Sequence, residues 1–157
     1  MKILSKSVVE TDKVAGDFLK QLKTKDNSAL VVGLFGDLGS GKTTFTQALG
    51  KQLGIKETMT SPTFVIMKRY EVFGIEYPVL NTQYPIPNTK YSTLIHIDAY
   101  RLDSGKELLS LNFAEIIKDP KNLILIEWPE RVADILPTDL VKINFKFISE
   151  FEREIEL

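Results

Sequence analysis

Residues 36 to 43 read Gly-Asp-Leu-Gly-Ser-Gly-Lys-Thr, a G-x-x-x-x-G-K-[ST] octet with every fixed position filled. This octet has physical meaning only where a strand turns into a helix. Gly36, Gly39 and Gly41 let the backbone wrap an anion with its N–H groups pointing inward. Lys42 has the reach to contact outer phosphates, and the Thr43 hydroxyl suits a hard cation such as Mg2+. The flanks provide the joint. Ala29 to Phe35 is an unbroken apolar run of buried-strand type. Thr43 to Leu53 has helical spacing, with Phe45, Leu49 and Leu53 on one face. A helix N-terminus carries partial positive charge, which adds attraction for phosphate at the same point.

The rest of the chain alternates strand-like and helix-like segments. Ile3 to Val9 reads as a short strand. Asp12 to Leu22 reads as a helix with Thr11 at or next to its N-cap and Val14, Phe18 and Leu22 on one face. Lys23 to Ser28 is a polar loop, and Gly54 stops the helix that follows the octet. Thr58 to Thr63 is polar, and Ser61-Pro62 favours extended backbone. Phe64 to Val72 reads as a strand. Gly74 to Ser92, with three prolines and no periodicity, reads as a long loop or hairpin excursion. Leu94 to Ile97 is a strand ending at Asp98. Ser104 to Lys118 is a helix opened by a Ser104/Glu107 capping box. Leu123 to Ile126 is a strand ending at Glu127, and Pro129 to Ile135 is a short helix with proline in its first turn. Val141 to Phe147 and Phe151 to Leu157 alternate apolar with polar residues and pair as an antiparallel hairpin. The order predicts a single α/β domain over residues 1–157, a three-layer sandwich with a largely parallel central sheet.

A chain of 157 residues with 43% apolar and 26% charged residues suits a globular fold with a sizeable core. A net charge of −1 gives no field for DNA, RNA or an anionic membrane, so any service to RNA runs through a partner. Without cysteine there is neither a disulfide nor thiolate chemistry. One histidine and no cysteine exclude a His/Cys metal cluster. Met1 to Ser7 lacks the apolar stretch of a signal peptide, and no run approaches the length of a membrane span, so the expected location is the cytoplasm.

Mg2+ on a nucleotide needs a carboxylate at a second strand end as well as the loop hydroxyl. Asp98 and Glu127 both follow apolar strands, and ligands of such sheets sit at the strands' carboxyl ends. Spacing does not separate the metal ligand from the acid that orients water. Thr63 lies where a nucleotide switch places a sensing hydroxyl, and also where a plain loop threonine sits. Arg101 suits either phosphate charge or an ion pair. His96 shares a strand face with Leu94 and Asp98 and reads as a structural histidine. Trp128 alternates onto the opposite face from Glu127, which suits core packing, with partner contact as the alternative.

Four ordered motifs close the reading: Gly36 to Thr44, Ser61-Pro62-Thr63-Phe64, His96-Ile97-Asp98-Ala99-Tyr100-Arg101-Leu102 and Ile126-Glu127-Trp128-Pro129-Glu130. Together they closely resemble the TsaE family over nearly the whole chain. The resemblance implies a small ATPase of tRNA threonylcarbamoyladenosine biosynthesis that docks on the TsaB–TsaD pair and meets tRNA only indirectly. It implies that Gly36, Asp37, Leu38, Gly39, Ser40, Gly41, Lys42, Thr43 and Thr44 hold ATP. Thr43 and Glu127 then hold Mg2+, Thr63 is a switch threonine, Asp98 is an acid needed for activity, and Thr11 and Arg153 lie near the adenine. Two departures stand out. Tyr77 to Lys90 is an extra segment, and Asn112 replaces a usual glycine. A small-molecule kinase and a non-catalytic nucleotide switch are the rival readings; the four arginines, Arg69, Arg101, Arg131 and Arg153, are too scattered for a kinase lid.

Overall fold

The computed structural model describes residues 1–73 and 90–157. Most of the expected Gly74 to Ser92 excursion and of the extra segment therefore lies outside the described residues. Strand β1 is Lys2–Ser5, helix α1 Val8–Gln21, β2 Leu30–Phe35, α2 Lys42–Gln52, and β3 Met67–Glu71. Strand β4 is Thr93–Asp98, α3 Lys106–Ser110, α4 Phe113–Ile116 and β5 Asn122–Glu127. A 3-10 helix, Pro129–Ile135, leads to β6 Val141–Phe147 and β7 Arg153–Glu156.

Among the described residues the strands form one mixed seven-stranded sheet, ordered β1-β7-β6-β2-β5-β4-β3. The parallel part is the central block β6-β2-β5-β4. Strands β3, β7 and β1 join antiparallel at the two sides; within the parallel block β2, β4 and β5 are buried on both faces, whereas β6 alternates buried with exposed residues. That burial explains the unbroken apolar sequences of β2 and β5. On one face Val32, Leu34, Leu123 and Leu125 pack against Val14, Phe18, Phe45 and Leu49 from α1 and α2. Phe45 is the hub, edge-on to Phe18 at 5.8 Å and to Phe145 at 5.4 Å. On the other face Val31, Ile95, Ile97, Ile124 and Ile126 meet Leu108, Phe113, Ile116 and Val132. Burying one such side chain stabilises the fold by roughly 2 kcal/mol. Among the described residues no helix is long and apolar enough to cross a membrane.

Several boundaries differ from the sequence reading. Helix α1 begins at Val8, not Asp12, and the strand before it ends at Ser5. Ser7 caps it, accepting a bond from the Glu10 N–H at 3.2 Å, while Glu10 Oε2 accepts from the Lys6 N–H at 2.7 Å. The Ser7-x-x-Glu10 spacing is a capping signal that outweighs the strand preference of Val8 and Val9. The expected Ser104–Lys118 helix is two short helices, because Asn112 sits in the left-handed region at φ 66° between them. Asparagine tolerates that conformation at modest cost. Glu107 Oε2 does reach back to the Ser104 N–H at 3.3 Å, but the helix itself starts only at Lys106. The expected Phe64–Val72 strand is shortened to β3, because the Val65 and Ile66 N–H groups turn back onto the Pro62 carbonyl at 3.0 and 2.6 Å.

Candidate functional site

Three strand ends meet in one cleft of about 340 Å3. Strand β2 feeds the glycine loop, β4 ends at Asp98 and β5 ends at Glu127. Register aligns them: Leu34 and Asp98 are the partners of Glu127 on either side. The topology therefore brings together groups that lie far apart in the chain. Leu38, Gly39, Gly41, Lys42, Thr43 and Thr44 form the loop side of the cleft. Ser61, Thr63 and Asp98 form the opposite side, while Arg153 reaches in from β7.

The Lys42 ammonium donates to the Gly36 carbonyl at 2.5 Å and the Asp37 carbonyl at 2.9 Å. It also lies 4.2 Å above the Trp128 ring, a cation–π contact. Burial lowers the Lys42 pKa from its ordinary value of 10.5; the charges of Glu127, Asp98, Glu130 and Asp37 act against that shift. Ser40 is fully buried, and among the described residues its hydroxyl has no hydrogen-bond partner.

The two acids have different neighbours. Glu127 Oε1 accepts from the Thr43 hydroxyl at 2.8 Å and lies 2.9 Å from His96 Nε2. Asp98 Oδ2 accepts from the Thr63 hydroxyl at 2.7 Å and the Ser61 hydroxyl at 3.3 Å, and its Oδ1 accepts from the Tyr100 N–H at 3.0 Å. Both carboxylates are buried. Burial of this kind is tolerated because each is hydrogen-bonded.

The donor set suits a hard divalent cation. Thr43 Oγ1 donates its proton to Glu127 Oε1 at 2.8 Å, which leaves the Thr43 lone pairs and Glu127 Oε2 as the oxygen donors for a cation. Among the described residues no group of three or more His, Cys, Asp or Glu is arranged to hold a metal. Two protein oxygens completed by phosphate and water are the usual pattern for nucleotide-bound Mg2+.

Thr11 departs from expectation. Thr11 is not at the N-cap and does not line the cleft; it is buried in α1, 2.8 Å from the Ser5 hydroxyl. Trp128 packs against the core cluster that holds Ile124 and Ile126, the face alternation assigns it, and its ring also lines the cleft; its backbone is left-handed at φ 59° and the ring meets Tyr100 with centroids 5.0 Å apart. Tyr100 and Ser61 also line the cleft without having been singled out for it. Arg101 lies over the Phe64 ring at 4.6 Å and faces the cleft.

Comparison with known proteins agrees with the motifs. A family model described as "Threonylcarbamoyl adenosine biosynthesis protein TsaE" matches residues 5–155. The chain is 34% identical over 145 residues to the tRNA threonylcarbamoyladenosine biosynthesis protein TsaE of Rickettsia felis, covering 92% of this chain and 71% of that one. It is 32% identical over 158 residues to the protein of the same name from Treponema pallidum, covering 99% and 98%. The crystal structure of Bacillus subtilis YdiB superposes with a TM-score of 0.65 at 28% identity, covering 99% of this chain and 82% of that one. The chain belongs to the TsaE family of tRNA threonylcarbamoyladenosine biosynthesis proteins.

Proposed function

We propose that this chain is a single-domain, Mg2+-dependent ATPase that works in the cytoplasm. In this reading it docks on the TsaB–TsaD pair, supports threonylcarbamoyladenosine formation next to the anticodon, and meets tRNA only through those partners. The observation that carries the reading is the meeting of three strand ends: Lys42 in the glycine loop, Thr43 bonded to Glu127, and Thr63 bonded to Asp98, all around one cleft.

The loop amides and Lys42 bind the phosphates and stabilise charge on the phosphoryl group. Thr43 and Glu127 hold Mg2+, which neutralises phosphate charge. Asp98 orients the attacking water, and Thr63 reports on the outer phosphate. Thr11 and Arg153 are the adenine-side candidates; of the two, Arg153 lines the cleft and Thr11 is buried. The isolated protein is slow in this scheme, because Asp98 is already engaged by Thr63, Ser61 and the Tyr100 amide. Phe64 and Val65, exposed next to Thr63, are where partner contact shifts that arrangement.

Phosphate release from ATP, measured with and without TsaB–TsaD, tests the reading. The expected result is slow release alone and faster release with the pair. No release in either case supports a non-catalytic switch. Rapid transfer to a small-molecule acceptor supports a kinase.

A further inference from the structure

We propose that His96 is a positioning residue for Glu127: its Nε2–H anchors Oε1, so that Oε2 and the Thr43 lone pairs are presented to the cation. This rests on the nucleotide–cation reading above and adds what orients the ligands.

His96 occupies the boundary between core and cleft. On its strand face Leu94 belongs to the apolar core and Asp98 lines the cleft. The register pairs His96 with Leu125 and Asp98 with Glu127, so the ring reaches diagonally across the strand pair to Glu127. His96 and Glu127 are 1% and 3% exposed, so water does not compete for their 2.9 Å contact. The histidine's direction of donation follows from its other nitrogen. Nδ1 is buried, and among the described residues it has no hydrogen-bond partner. A proton there strands a buried donor, whereas a proton on Nε2 is shared with a carboxylate.

Glu127 Oε1 accepts from both His96 and Thr43, and among the described residues no hydrogen bond reaches Oε2. Thr43 has one O–H, and it is directed at Oε1. Its lone pairs therefore remain for a cation, as does Oε2. One anchored oxygen thus sets the orientation of two ligand groups. Partners of metal ligands that act this way change metal affinity about 10- to 100-fold when removed.

The test is Mn2+ titration of the full chain with a non-hydrolysable ATP analogue, read by electron paramagnetic resonance. Nucleotide binding in EDTA and thermal melting run in parallel. His96→Met removes the donor at similar bulk. We expect its Mn2+ affinity to fall about tenfold or more, with analogue affinity in EDTA unchanged. His96→Gln keeps an N–H near the Nε2 position and restores Mn2+ affinity toward wild type. His96→Asn, whose amide is too short to reach Oε1, does not. A folded Met variant that binds Mn2+ as wild type does overturns the proposal. Should the Met variant fail to fold, equal Mn2+ binding by the Gln and Asn variants overturns it. If the wild-type chain binds the analogue but not Mn2+, or binds neither, the site reading itself falls and this inference with it.

Discussion

Gly36→Ala tests how the glycine loop is seated on the sheet, and Gly39→Ala is its internal control. Gly36 has φ +139°, a region that L side chains avoid. A Cβ there would lie 2.3 Å from the Phe145 carbonyl oxygen, 3.1 Å from its carbon and 2.9 Å from Ser40 Oγ. Phe145 O is main chain within β6, so no side-chain rotation relieves the clash. The loop must shift by about 1 Å to regain ordinary contact, and overpacking of that kind costs about 1–3 kcal/mol. Backbone strain adds about 1–3 kcal/mol. A total near 4 kcal/mol lowers the Tm of a chain this size by roughly 8–16 °C. Gly39 has φ +78° but nothing within 4 Å of its Cβ position. Its alanine variant carries only the left-handed penalty, about 1–2 kcal/mol, or roughly 2–8 °C. Because the Gly36 carbonyl holds Lys42, the first variant also loses nucleotide affinity. Thermal melts of both variants, followed by circular dichroism, check the claim. If the two melt within about 2 °C of each other, the described seating of the loop on β6 is wrong.

Three further outcomes are expected. Lys42→Met loses nucleotide affinity by about 10- to 100-fold, the worth of a charge-assisted bond. Burial holds the folded Lys42 pKa below its ordinary 10.5, so the unfolded chain binds that proton more tightly. Wild-type stability therefore rises as pH climbs through the folded pKa toward 10.5, and the Met variant lacks that rise in denaturant titrations. Glu127→Gln keeps an acceptor for Thr43 and His96 and stays folded, but weakens Mn2+ binding about 10- to 100-fold; Asp98→Asn shifts it far less, because its partners are Thr63, Ser61 and Tyr100. Trp128→Leu removes the ring beneath Lys42 and the Tyr100 stack, together about 2 kcal/mol, lowering Tm by roughly 4–8 °C, and Trp128→Phe recovers part of it.

The site was legible wherever local chemistry and local geometry coincide. The glycine octet needs only the strand before it and the helix after it, and both lie within a few residues. Asp98 and Glu127 were legible as strand-end acids because a buried parallel strand reads as a continuous apolar run. The start of α1 was legible too, in Ser7-x-x-Glu10, but β-branched Val8 and Val9 pointed the other way. Thr11 was misplaced at or next to the N-cap as a consequence, and the capping geometry puts it a turn inside the helix.

What the amino-acid order alone determined is the set of parts: a phosphate-type loop, two acids after apolar strands, a threonine after Ser-Pro, and the family those motifs point to. Tertiary structure decided which parts touch. Strand order, set by burial on both faces of the sheet, puts β5 between β2 and β4, and only that places Glu127 beside Thr43 and His96 while Asp98 meets Thr63. Strand alternation gave Trp128 its core face, and the tertiary structure added that its ring also lines the cleft against Lys42 and Tyr100. Periodicity records which face of an element is buried; contacts between elements depend on register, and register is settled by the whole core at once.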